Sequence, residues 1–81
     1  MAQPRIELLT KPGCHLCDEA RNVVAAVAAE TGEQWVERDV TEDPKLFIRW
    51  ADELPVVLVD GEQRGYWRIE ADRLRSALVS P

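Results

Sequence analysis

Cys14-His15-Leu16-Cys17 holds the only two cysteines of the chain, separated by two residues and followed by a helical pattern. A cysteine at the start of a helix faces backbone N–H groups that have no partner within the helix, together with the positive end of the helix dipole. Both favour thiolate over thiol, and the thiolate is the nucleophile. Cys17, nearly one turn further on, is placed to attack a mixed disulfide formed at Cys14. A zinc site needs about four ligands. The chain has no further cysteine, and its one histidine, His15, lies inside the pair. A purely structural disulfide is also disfavoured, because so short a loop constrains the unfolded chain little. The spacing therefore points to a reactive dithiol.

The elements around the pair follow from the apolar pattern. Ile6-Glu7-Leu8-Leu9 reads as a buried strand. Lys11-Pro12-Gly13 breaks it and turns the chain into the cysteine pair. From there Leu16, Ala20, Val23, Val24, Val27 and Ala28 recur at helical spacing, and Gly32 is placed to stop the helix. Trp35 to Val40 is a second strand. Asp43-Pro44 supplies an N-cap followed by proline at the first helical position, with Leu46, Phe47 and Trp50 on one side of the short helix. Leu54-Pro55-Val56-Val57-Leu58-Val59 is the strongest strand signal. Asp60-Gly61 begins a hairpin turn, and Gly65-Tyr66-Trp67 falls in or just after the returning strand. Ile69 to Leu78 closes the chain as a helix with Ala71, Leu74, Ala77 and Leu78 on its apolar face. The charges of that segment, Glu70, Asp72, Arg73 and Arg75, read as a solvated face.

This order, β-α-β-α-β-β-α, predicts an α/β fold. The first two strands should be parallel and the last pair an antiparallel hairpin, giving a mixed four-stranded sheet with helices on both faces. The chain has 81 residues, 46 % of them hydrophobic, and is expected to form one unit over 1–81 without repeats or linkers. A formal net charge of −5 argues against nucleic acid and anionic membranes as partners. No apolar stretch approaches the roughly 18 residues that span a bilayer. Met1 to Arg5 lacks the pattern of a signal peptide, so a cytoplasmic location and a transient, catalytic disulfide are expected.

With Lys11-Pro12-Gly13-Cys14, Cys17 and the later Leu54-Pro55 strand ending in Asp60-Gly61, the chain resembles the glutaredoxins, within the thioredoxin fold. The run Cys14 to Ala20 and the run Pro55 to Gly61 are similar to compact bacterial glutaredoxin-like proteins. The resemblance implies a cis peptide before Pro55, with the backbone of Leu54 offered to an extended thiol substrate. It implies Cys14 as nucleophile, Cys17 as resolving cysteine, and Lys11 as a cation favouring the thiolate. His15, beside the nucleophile, could add to that when protonated.

Where glutaredoxins carry two glycines and an aspartate that hold glutathione, this chain has Gly65, Tyr66, Trp67, Arg68 and Ile69. These residues border the expected substrate groove, and their types predict weak or absent use of glutathione. The activity implied is that of a thiol–disulfide oxidoreductase acting as a monomer in redox homeostasis. Its substrate would be a disulfide-containing protein or a small thiol. Its reductant would be a low-molecular-weight thiol such as glutathione, or a reductase, with no bound cofactor or metal. The alternative is a non-catalytic binding module of the same fold, with a metal bridged between the CxxC motifs of two chains.

Overall fold

Ile6–Thr10 forms strand β1, and Ile6, Leu8 and Leu9 in it are inaccessible to solvent. The computed structural model describes residues 3–79. Helix α1 follows over His15–Thr31, closed by Gly32 in the left-handed conformation at φ 75°, with its N–H returned to the Ala28 carbonyl. Strand β2 spans Trp35–Asp39, and helix α2 spans Pro44–Trp50. Asp43 caps α2 by accepting the Lys45 N–H at 3.0 Å. Strands β3 (Val56–Val59) and β4 (Glu62–Tyr66) form the hairpin, and helix α3 runs over Ala71–Val79. The turn at Asp60-Gly61 has positive φ at both residues, 54° and 85°, as a tight two-residue hairpin needs.

The sheet order is β2-β1-β3-β4. Strand β1 is parallel to β2 and antiparallel to β3, and β3 is antiparallel to β4. The expected mixed four-stranded sheet is therefore present. Its faces are covered unequally. Ile6, Leu8, Val57 and Val59 meet Ala20, Val24, Val27, Leu74 and Leu78 of α1 and α3. Leu9, Val56 and Leu58 meet Val40, Trp50 and Leu54 on the other face. Burial on both faces explains why β3 is an unbroken apolar run. Each such leucine or valine contributes about 1.5–3 kcal/mol through removal from water.

Several boundaries differ from the sequence expectation. Val40 leaves the strand and starts a 3-10 turn over Val40–Glu42, where its side chain is buried under the sheet. Strand β3 begins at Val56, because Ala51–Glu53 forms another 3-10 turn and Leu54-Pro55 serves as the entry. Ile69 precedes α3 yet belongs to the core. Phe47 does not share the buried side of α2 with Trp50 and is 44 % exposed. Ion pairs hold the periphery. Arg5 bridges Asp60 and Glu33, both at 2.9 Å, and Arg75 ties α3 to Glu30 of α1 and so is not simply part of a solvated face.

Candidate active site

The site grows from the end of β1. Gly13, at φ 75°, takes a left-handed turn that a side chain would strain, and it directs the chain into α1. Cys14 is the N-cap in extended conformation, and its Sγ accepts the backbone N–H of Cys17 at 3.2 Å. A sulfur thus occupies the place usually taken by a serine or aspartate oxygen, against a helix donor that has no other partner. Cys14 is partly exposed, whereas Cys17 is 1 % exposed, and both are free thiols. Burial pushes the Cys17 thiol up from 9.0 to about 12, and its hydrogen bond to Cys14 adds to the rise. A backbone hydrogen bond at Lys11 and the charge of Arg21 oppose it. The two sulfurs are chemically distinct.

Arg21 is fixed in place by Glu37 at 2.7 Å and by Asp18 at 2.8 Å, and Glu37 also accepts from Thr10. Arg21 and Thr10 hold the Glu37 carboxyl below the usual range, with Arg21 the larger cause. The acidic first turn of α1 is thereby partly neutralised. Arg21 lies four residues after Cys17, a helical spacing that could have been read from the sequence. Glu37, from the neighbouring strand, gave no such signal.

The Leu54–Pro55 peptide is cis. The carbonyl of Pro55 accepts the backbone N–H of Trp67 at 2.9 Å, with a longer 3.4 Å contact from the same N–H to Glu53. The Trp67 indole N–H reaches the Asp52 carbonyl at 3.2 Å, and its ring meets Tyr66 edge-on at 5.0 Å. Leu54, Gly65, Tyr66 and Trp67 line one open groove of about 880 Å³, with Leu16 of the cysteine motif on its wall. Gly65 is needed for packing as well. A Cβ there would stand 3.2 Å from Val57 Cγ1 and 3.5 Å from Ile69 Cδ1.

The side chains of Lys11 and His15 are exposed, neither borders the groove, and neither has a hydrogen bond or ion pair with another described residue. Pro55 is buried, as is Leu54. Arg68, expected beside the groove, lines it together with two arginines that the sequence reading did not assign to the site, Arg64 and Arg73. Among the described residues, no three His, Cys, Asp or Glu side chains cluster as ligands for a metal ion.

Residues 5–79 match the glutaredoxin-like domain family (DUF836). The chain belongs to this family. Uncharacterized proteins of Mycobacterium tuberculosis and Mycobacterium bovis are each 37 % identical to this glutaredoxin-like domain over 84 residues, covering 98 % of it and 87 % of their own length. Solved structures agree on the fold. A crystal structure from X. campestris gives a TM-score of 0.76 at 26 % identity, covering 94 % of this chain and 99 % of its own. A solution structure from Nitrosomonas europaea gives 0.77 at 18 % identity over 99 % and 96 %. Glutaredoxin C1 of poplar, in its holo form, gives 0.50 at 17 % over 90 % and 72 %. The fold of this glutaredoxin-like domain is thus thioredoxin-like, and among the described residues no helix is long and apolar enough to cross a membrane.

Proposed function

We propose that the protein is a thiol–disulfide oxidoreductase in which Cys14 attacks and Cys17 resolves. The observation that carries this reading is the hydrogen bond from the Cys17 N–H to the Cys14 sulfur, set beside the burial of Cys17. A negative charge on Cys14 meets a fixed donor at the helix start, and the sulfur is open to an incoming disulfide. The Cys14 thiolate displaces one thiolate from R–S–S–R′, leaving Cys14–S–S–R. Cys17 then loses its proton and attacks Cys14 Sγ, releasing the second thiolate and closing the internal disulfide. The substrate gains two electrons and the dithiol loses two. Two equivalents of a low-molecular-weight thiol, or one turn of a dithiol reductase, restore the reduced form.

Lys11, and His15 when protonated, are assigned to favour the thiolate, and the Leu54 backbone with the neighbouring groove as the resting place of the substrate. The raised pKa of Cys17 supports the order of events, since a buried thiol held protonated is a poor first nucleophile at neutral pH.

The test is turnover of a simple disulfide by the purified protein with glutathione, a dithiol reductase or another small thiol as reductant. Cys14→Ser should abolish it, whereas Cys17→Ser should accumulate a mixed disulfide visible by mass spectrometry. An adduct confined to Cys17 would reverse the roles. No reaction with any disulfide would remove the activity altogether.

A further inference from the structure

We propose that the groove beside the cysteine pair selects disulfides that carry a negative charge away from their sulfurs, such as a carboxylate or phosphate. This rests on the oxidoreductase reading above and names the substrate class of the same site. The chain as a whole is acidic, with a net charge of −5, yet the groove is not. Its walls bring together Arg64 of β4, Arg68 of the β4–α3 connection and Arg73 of α3, against a single carboxylate, Glu70. Positive charge collected in a concave surface focuses the field and raises the local concentration of anions.

The three guanidiniums are available. Arg68 has no hydrogen bond or ion pair with any described residue. Arg64 pairs with Glu62 at 3.2 Å and Arg73 with Glu70 at 3.3 Å, but these are solvent-exposed pairs, with the glutamate side chains 72 % and 63 % accessible. Exposed pairs of this kind are weak and exchange readily for an incoming anion. A guanidinium can meet a carboxylate or phosphate with two parallel N–H bonds.

The placement of the arginines supplies the link to the chemistry. Arg68 shares with Leu16, the residue just before Cys17, both the main groove and a smaller hollow of about 450 Å³. Arg64 and Arg73 share a further hollow of about 380 Å³ that Leu16 does not border. Glu19 and Glu70 border the first of these hollows and Asp72 the second, so the excess of positive charge is confined to the main groove, where three guanidiniums face Glu70 alone. A disulfide whose sulfur reaches Cys14 would lay its remaining length past Leu16 into the main groove, over the apolar rings of Tyr66 and Trp67. An anionic group at its end meets Arg68 first.

The experiment uses the reduced full-length protein and three small symmetric disulfides: dithiodipropionate with two carboxylates, bis(2-hydroxyethyl) disulfide without charge, and cystamine with two ammonium groups. Each second-order rate is divided by the rate of the same disulfide with dithiothreitol at the same pH, which removes intrinsic reactivity. The dianion should exceed the neutral compound by about tenfold or more, and cystamine should fall below it. The gap should narrow with added salt. Arg68→Gln should reduce it and the triple Arg64→Gln/Arg68→Gln/Arg73→Gln variant should abolish it, with an unchanged circular dichroism spectrum and thermal midpoint as the check on folding. Equal normalised rates, or a preference that survives in the triple variant, would overturn the inference while leaving the oxidoreductase reading intact. Failure of all three disulfides to react would overturn both.

Discussion

The backbone N–H of Trp67 donates to the carbonyl of Pro55 at 2.9 Å, joining the residue after β4 to the residue before β3. Trp67 reaches this position in the left-handed region at φ 61°, which is costly for a bulky side chain. The indole bond to Asp52 and the ring contact with Tyr66 offset part of that cost. One residue thus latches the loop beside the cysteine pair and forms a wall of the groove.

The latch gives a stability prediction. Trp67→Ala loses the indole contacts and keeps the unfavourable backbone, whereas Trp67→Gly loses the same contacts but relieves the backbone. Urea unfolding should show the glycine variant more stable than the alanine variant by about 1 kcal/mol. The reverse order would mean that the positive φ costs nothing here.

Cys14 and Cys17 should label unequally. The Cys17 thiol is raised from 9.0 to about 12, so its thiolate fraction at pH 8 is lower by about a thousandfold than that of an ordinary thiol. Burial restricts reagent access as well. Brief treatment with iodoacetamide should modify Cys14 alone, and Cys17 should react only after denaturation. Equal labelling in the native protein would contradict the burial of Cys17.

The same shift makes stability depend on alkaline pH. A thiol is neutral when protonated, and the folded state holds this proton more tightly than the unfolded chain. Its contribution is therefore fully present below pH 9 and is lost as pH rises through about 12. The fall in unfolding free energy between those values should be shallower in Cys17→Ala than in the wild type. Parallel curves would show that Cys17 titrates normally in the folded protein.

Gly65→Ala tests the packing under the groove. The added methyl would meet Val57 Cγ1 at 3.2 Å, on a β4 position pressed between Val57 and Ile69. Overpacking of this kind costs about 1–3 kcal/mol. Thermal unfolding should register the loss, and disulfide turnover should fall because the groove wall moves. An unchanged midpoint would mean that the sheet yields freely at this point.

The order of elements was legible because each carries a local signature: Gly32 ends α1, Asp43-Pro44 opens α2, and Asp60-Gly61 turns the hairpin. Cys14 at the helix start was legible for the same reason. The groove was not. Arg64, Arg68 and Arg73 lie on a strand, a connection and a helix, and only the docking of α3 beside β4 brings them to one hollow. Their types look like ordinary solvated charge until that docking is known. Ile69 misled for a related reason. It stands where a polar contact to substrate would be expected, but the bend before α3 turns its side chain into the core.

That burial decides how glutathione use can be tested. Efficient catalysis requires the glutathione sulfur to meet Cys14, and misplacement by an ångström costs about a hundredfold. This chain lines the groove with Arg68, whose charge repels the ammonium group of glutathione, and with Tyr66 and Trp67. Glutathione-dependent turnover should therefore be weak in the wild type. Placing the carboxylate at Ile69 would not repair it, because Ile69→Asp buries a charge among Gly65, Val57 and Leu74 and should cost about 3 kcal/mol or more. Arg68→Asp puts the carboxylate on an exposed position of the groove instead. It should raise the glutathione-dependent rate without loss of stability, measured by coupled reduction of a glutathione mixed disulfide. Wild-type turnover equal to that of an ordinary dithiol glutaredoxin, or no gain in Arg68→Asp, would show that the charge of this groove does not govern the choice of thiol.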